Sequence, residues 1–195
     1  MRRLFIALEL DEAARALAVE VAATLRRGLG SRARLGFTPA ERLHVTLAFL
    51  GGVEEARVDE VNAVVAAVAR EHAPFCVELG GVGAFPGPDR ARVLWLGFGS
   101  GSAPLRALVR DLETSLRAAG HALEDRAFNG HVTLARCHAP RGVDASPELA
   151  RCPDRRVDCP VAELVVMESI RDPGPARYVA LARARLAPDG AARMP

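Results

Sequence analysis

His44-Val45-Thr46-Leu47 and His131-Val132-Thr133-Leu134 write one tetrapeptide twice in a chain of 195 residues. Each copy reads polar, apolar, polar, apolar. Successive side chains on a β-strand point to opposite faces, so the histidine and threonine of each copy share one face while Val and Leu anchor the other. The ordinary histidine pKa, near ~6.5, lets two imidazoles divide labour at neutral pH, one as base and one as acid. Hydroxyls two residues on can donate to the non-bridging oxygens of a phosphate. These groups suit cleavage of a cyclic phosphodiester. One imidazole takes a proton from the attacking water, and the other gives a proton to the departing ribose oxygen on the far side. Acid and base are both side chains, so no metal or cofactor is required.

One such tetrapeptide is ordinary on a strand; two copies in the same register carry the reading. Arg136 lies five residues beyond His131, and strict alternation turns it to the opposite face. A bulge or turn at the strand end would bring its guanidinium onto the phosphate, and that is the expectation. Metal binding by His44 and His131 is the rival, but no matched carboxylates accompany them. Cys76, Cys137, Cys152 and Cys159 form no CxxC pair and are expected to be reduced. A zinc site on Cys152, Cys159 and His138 fits no familiar ligand spacing. His72, His121 and His138 read as surface or structural residues, His72 favouring the negative end of a helix.

The elements that must position these groups follow from periodicity. Leu4, Ile6, Leu8 and Leu10 alternate with Phe5, Ala7 and Glu9, which predicts a first strand. Asp11 is placed to cap a helix reaching Arg27, with Ala14, Leu17, Val21 and Leu25 on one stripe. After a loop over 28–36, the first motif strand covers 43–50 and stops at Gly51-Gly52. A helix over 54–72 carries Val58, Val61, Val65 and Val68. Strands over 75–82 and 92–98 flank a loop. A turn at 99–101 leads to Ser102, placed to cap a helix with Leu105, Leu108, Val109, Leu112 and Leu116. The second motif strand spans 130–136. Residues 139–160, rich in Pro, Arg and Asp, read as a long surface connection. Strands over 163–169 and 177–185 turn at 171–175, and a loose tail begins at about 188.

Strand runs with few βαβ alternations predict an α+β fold: two mostly antiparallel sheets, one largely from each half, facing a central cleft with helices outside. At 50% hydrophobic, residues 1–195 can bury a core as one domain of two lobes. All 26 basic residues are arginine, whose planar fork suits phosphate. A net charge of +2 excludes broad nucleic-acid coating, so any basic footprint must be local. The apolar start is cut by Glu9, Asp11 and Glu12, and no apolar run is long enough to span a bilayer. A cytoplasmic protein without a membrane partner is expected, and a monomer by default.

These residues, with their flanks, resemble the 2H phosphoesterases, and within them the bacterial and archaeal RNA 2′,3′-cyclic phosphodiesterases historically named 2′-5′ RNA ligases. The resemblance runs through Arg3-Leu4-Phe5-Ile6-Ala7-Leu8, Leu43-His44-Val45-Thr46-Leu47-Ala48-Phe49-Leu50-Gly51 and Gly83-Ala84-Phe85-Pro86. It continues through Arg92-Val93-Leu94-Trp95-Leu96-Gly97, His131-Val132-Thr133-Leu134-Ala135-Arg136, Leu164-Val165-Val166-Met167-Glu168-Ser169 and Ala176-Arg177-Tyr178. It implies a bilobal fold with a positive cleft, and hydrolysis of a terminal RNA 2′,3′-cyclic phosphate to a 2′-phosphomonoester. It further implies His44 as proton donor to O3′, His131 as the base that activates water, and Thr46, Thr133 and Arg136 as phosphate ligands. The RNA partner, tRNA fragments among the possibilities, would be processed without metal, with 2′-5′ ligation as a weak reverse activity. One departure is Gly130, where relatives often carry proline before the histidine. The rival functions are hydrolysis of a small nucleotide such as ADP-ribose cyclic phosphate, and non-catalytic binding of RNA ends. Phe49 reads as a core residue; Phe5, Phe85 and Phe128 are open between core and base stacking.

Overall fold

Both faces of the first strand are apolar, and both are covered. Leu4, Ile6 and Leu8 enter the main core, while Phe5 and Ala7 enter a second, smaller cluster with Val165 and Met167. The computed structural model describes residues 1–30, 32, 34–99, 102–124, 127–170 and 176–187. In chain order the elements are β1 (Arg2–Glu9), α1 (Glu12–Leu29), β2 (Leu35–Phe37), β3 (His44–Val53), α2 (Val58–Arg70), β4 (Phe75–Phe85) and β5 (Val93–Phe98). Then follow α3 (Ala103–Ala118), β6 (His131–Cys137), α4 (Ser146–Leu149), β7 (Arg156–Val161), β8 (Glu163–Ile170) and β9 (Arg177–Arg185).

Every strand pairing is antiparallel, in the order β7-β4-β5-β6-β3-β1-β8-β9, with β2 also on β6. Between β6 and β3 the register holds at one position only, Val45 with Val132. The nine strands thus form one sheet with two halves, β7-β4-β5-β6 and β3-β1-β8-β9, that meet at this point. Helices cover them: α1 packs on β6 and β7, α2 on β8, β9 and α3, and α3 on β3. This is the expected α+β, two-lobed architecture.

The expected division by halves is corrected. β1 and β3 share their half of the one sheet not with other strands of the first half of the chain but with β8 and β9 from its far end, and the two expected sheets are halves of a single one. The reason is β1, which needs a partner on both edges. The apolar run Leu164–Met167 of β8 supplies the second, pairing from Leu4 with Glu168 to Ala7 with Val165.

Local rules place most boundaries. The Ala14 N–H donates to Asp11 Oδ1 at 2.9 Å, so the predicted cap starts α1. Its stripe Leu17, Val21, Leu25 and Leu29 is fully buried, each leucine contributing about 1.5–3 kcal/mol. The helix predicted over 54–72 begins instead with a 3₁₀ turn at Glu55–Arg57 and becomes α-helical at Val58. Ser102 takes the expected N-cap position of α3 but makes no side-chain capping bond; its hydroxyl accepts from the Arg106 guanidinium.

The connection predicted over 139–160 holds a turn of helix, α4, and a paired strand, β7, that matches β4 from Phe75 with Val161 to Gly80 with Arg156. Cys159 and Val161 point inward. Pro160 between them masks the alternation, and it is tolerated because β7 is an edge strand that needs no donor on its outer side. The turn at 171–175, residues 100–101 of the turn before Ser102 and the tail from 188 lie outside the described residues. Among the described residues no helix is long and apolar enough to cross a membrane.

Candidate active site

The two motif strands meet through the central valines of their repeats. Val45 pairs with Val132, and in each strand the histidine and threonine flank this one paired position. The valines and leucines of both copies are buried, as alternation requires, and the histidines and threonines face a cavity of about 630 Å³. All five expected residues, His44, Thr46, His131, Thr133 and Arg136, line it.

Arg136 reaches this face through a bulge. On β6, Leu94 of β5 pairs with Ala135 and Trp95 with Thr133, which leaves Leu134 as an extra residue. Leu134 and Ala135 both turn into the core, and the residue after them returns to the His131 face. The first copy repeats the device. Ile6 pairs with Ala48 and Ala7 with Thr46, so Leu47 is extra, and Leu47 and Ala48 are both buried. The residue returned to the cleft is then Phe49. The fivefold match His-Val-Thr-Leu-Ala thus produces two equivalent positions, filled by an arginine in one lobe and a phenylalanine in the other. Phe49, expected in the core, lines the cavity, with the Arg3 guanidinium carbon 4.6 Å from its ring centroid.

The histidines are also held alike. His44 Nδ1 lies 2.7 Å from the Arg42 carbonyl oxygen, and His131 Nδ1 lies 2.7 Å from that of Asn129. A carbonyl only accepts, so in both rings Nδ1–H donates and Nε2 carries the exchangeable chemistry. His44 Nε2 is 3.1 Å from Thr46 Oγ1, whose hydroxyl donates to the neutral ring.

The surroundings of the two rings differ. His44 sits 5.1 Å from Phe5 and 5.2 Å from Tyr178, centroid to centroid. Burial therefore pushes its pKa below the ordinary histidine value, and the positive Arg136 and neighbouring His131 push the same way, against the hydrogen bond to Arg42. His131 rests 5.2 Å from Phe85 and 6.4 Å from Trp95. Trp95 lies over Gly83, where a Cβ would come within 2.2 Å of its ring. Gly130 serves a similar purpose: a Cβ there would be 2.9 Å from Phe98 and 3.2 Å from Phe128, so the glycine before His131 makes room for two aromatic rings.

Sequence reasoning passed over other cleft residues: Arg3, Ser169 and Tyr178 beside His44, and Thr38, Arg42 and Glu124 at the margins. The outward positions of β1 carried the signal for Arg3 and Phe5, and Ser169 and Tyr178 lie in the flanking segments of the resemblance. Arg42 donates to the Ala176 carbonyl, tying β3 to β9. Arg136 forms no ion pair among the described residues.

The remaining histidines stand away from the cavity. His72 Nε2 is 3.2 Å from Asp111, linking α2 to α3, and His121 is buried 3.8 Å from Glu60. His138 is exposed at the end of β6. Among the described residues no three His, Cys, Asp or Glu side chains converge as metal ligands. Burial pushes the Cys159 thiol up to about 11, which keeps it protonated.

Comparison with known proteins agrees with this geometry. The family model of the 2′-5′ RNA ligase superfamily matches residues 11–173. A relative from Aeropyrum pernix named RNA 2′,3′-cyclic phosphodiesterase is 40% identical over 111 residues, 57% of this chain and 62% of that protein. One of the same name from Methanothermobacter thermautotrophicus is 33% identical over 147 residues, 75% of this chain and 77% of that protein. The crystal structure of the Thermus thermophilus protein TT0787 superposes with a TM-score of 0.71 at 30% identity, covering 94% of this chain and 97% of that one. With two matched His-X-Thr strands facing one cleft and a family match over most of its length, the chain belongs to the 2′-5′ RNA ligase superfamily.

Proposed function

We propose that this protein hydrolyses the 2′,3′-cyclic phosphate at the end of an RNA strand to a 2′-phosphomonoester, without metal, by acid–base chemistry shared between His44 and His131. The observation that carries this reading is the duplicated imidazole geometry. Two rings have Nδ1–H tied to a carbonyl two residues upstream, and both border one cavity with Thr46, Thr133 and Arg136, which forms no ion pair among the described residues. The names of the curated relatives supply the substrate class.

His131 Nε2 takes a proton from water as the water oxygen attacks phosphorus. The P–O3′ bond breaks in line, and His44 Nε2 delivers a proton to O3′, leaving a 3′-hydroxyl and a 2′-phosphate. Free His44 is biased toward its neutral form, so it must gain its proton as substrate binds. The anionic phosphodiester between the rings provides that bias, because an opposite charge favours imidazolium. Thr46 and Thr133 donate to the non-bridging oxygens, and Arg136 neutralises the charge that builds there. The aromatic rings that line the cavity, Phe5, Phe49 and Tyr178, all belong to the His44 lobe, which supports a nucleoside on that side and water on the other. With a 5′-hydroxyl in place of water, the same in-line step breaks P–O3′ and forms a 2′-5′ phosphodiester, His131 taking the hydroxyl proton and His44 protonating O3′; this is the basis of a weak 2′-5′ ligase activity.

The test is direct. An RNA oligomer ending in 2′,3′-cyclic phosphate, incubated with the protein and excess chelator, gains one water by mass and ends in a 2′-phosphate. A 3′-phosphate product, or loss of activity with chelator, overturns the mechanism.

A further inference from the structure

Two further grooves open from the catalytic cavity, and they differ in charge. One, of about 120 Å³, shares Thr46, Phe49 and Glu124 with the cavity and continues past Glu113 with no basic residue among the described residues that line it. The other, of about 520 Å³, shares Thr38 with the cavity and runs between α1 and residues 38–43. Arg26 and Arg27 line it against one carboxylate, Glu41.

Thr38 stands at the Arg136 end of the cleft. Its N–H donates to the Leu134 carbonyl at 2.8 Å, inside the bulge that turns Arg136 outward. Cations therefore continue across it: Arg136 and Arg42 on the cavity side, Arg26 and Arg27 beyond. Both distal arginines are exposed, and neither forms an ion pair among the described residues. The Arg26 guanidinium sits over the Phe37 ring, with its carbon 4.6 Å from the ring centroid. Stacking of this kind holds the fork in one plane while its N–H edges remain able to donate to phosphate. Two arginines in the last turn of α1 also favour the negative helix end, but that benefit needs neither the groove nor its junction with the cleft.

We infer that single-stranded RNA upstream of the reacting nucleotide leaves the cleft over Thr38 and lies in the α1 groove, its phosphates held by Arg26 and Arg27. A polyanion is drawn along the exit that Arg26 and Arg27 line against a single carboxylate. This rests on the proposed RNA-end hydrolase reading, which it narrows: the protein is built for strands longer than one nucleotide.

The experiment compares R26A/R27A and R26E/R27E with the unmodified protein on two substrates, a 2′,3′-cyclic mononucleotide and an RNA oligomer with the same terminal base. Expected is a roughly tenfold fall in kcat/KM for the oligomer with R26A/R27A, larger with R26E/R27E, while the mononucleotide is unchanged. The slope of log kcat/KM against log salt for the oligomer should flatten by roughly 1.4, about 0.7 for each lost phosphate contact on a single strand. Equal oligomer rates in all three proteins, or equal losses on both substrates, overturn the groove assignment. If the unmodified protein hydrolyses neither substrate, the hydrolase reading itself has failed.

Discussion

Val45 pairs with Val132 where the two halves of the sheet join, the one paired position between β3 and β6. Each valine is the central residue of its own His-Val-Thr repeat, so this contact is the approximate twofold centre of the cleft. Both imidazoles and both motif hydroxyls stand one residue to either side of it.

His44→Ala and His131→Ala should each lower hydrolysis of a cyclic-phosphate oligomer by roughly 10²–10⁴-fold, the usual contribution of a positioned acid or base, with unchanged circular dichroism. The roles separate with a p-nitrophenyl phosphodiester, whose leaving group needs no proton. His44→Ala should keep substantial activity on it and His131→Ala should not. The opposite pattern would exchange donor and base.

Arg136→Ala should cost about 10²–10³-fold in kcat, comparable to removing a donor that meets transition-state charge. Arg136→Lys should recover only part of this, because a single ammonium cannot reproduce the planar fork. Unchanged kinetics would remove Arg136 from the phosphate site.

Proton NMR should find His44 titrating below the ordinary histidine value in the free protein, since burial, Arg136 and His131 all disfavour its charged form. Two changes should raise that value: binding of a 2′-mononucleotide product, whose anion favours imidazolium, and Arg136→Ala, which removes a positive neighbour. A His44 resonance indifferent to both would contradict its position beside the phosphate.

Phe49→Ala should raise KM for a cyclic mononucleotide roughly 5–150-fold if the base stacks there, from about 1–3 kcal/mol per stacked base. A p-nitrophenyl phosphodiester lacking a base should be much less affected. Equal effects on both would mean that Phe49 only supports the fold.

Gly83→Ala forces a Cβ to within 2.2 Å of the Trp95 ring, which must move. Overpacking of this kind costs about 1–3 kcal/mol, or several degrees in Tm. Because Trp95 lies against His131, kcat should fall along with Tm. A variant of unchanged Tm would show that the ring has room to spare.

Much of this protein is determined by the chain alone, because short-range physics sets it. Alternation at His44–Leu47 and His131–Leu134 decides which side chains share a face. The helical stripes of α1, α2 and α3 and the Asp11 cap follow from local spacing, and the repeated motif announces the chemistry. Tertiary structure decided the rest. Whether Arg136 and Phe49 reach the cleft depends on bulges at Leu134 and Leu47, which exist only because the residues on either side, Thr133 and Ala135, Thr46 and Ala48, find partners on β5 and β1. Whether β8 and β9 join the half of the sheet that holds β1 and β3 depends on β1 needing a second edge, and β7 becomes a strand only against β4. Pairing between residues distant in sequence has no periodicity to read, since its energy arises only once both strands are brought together.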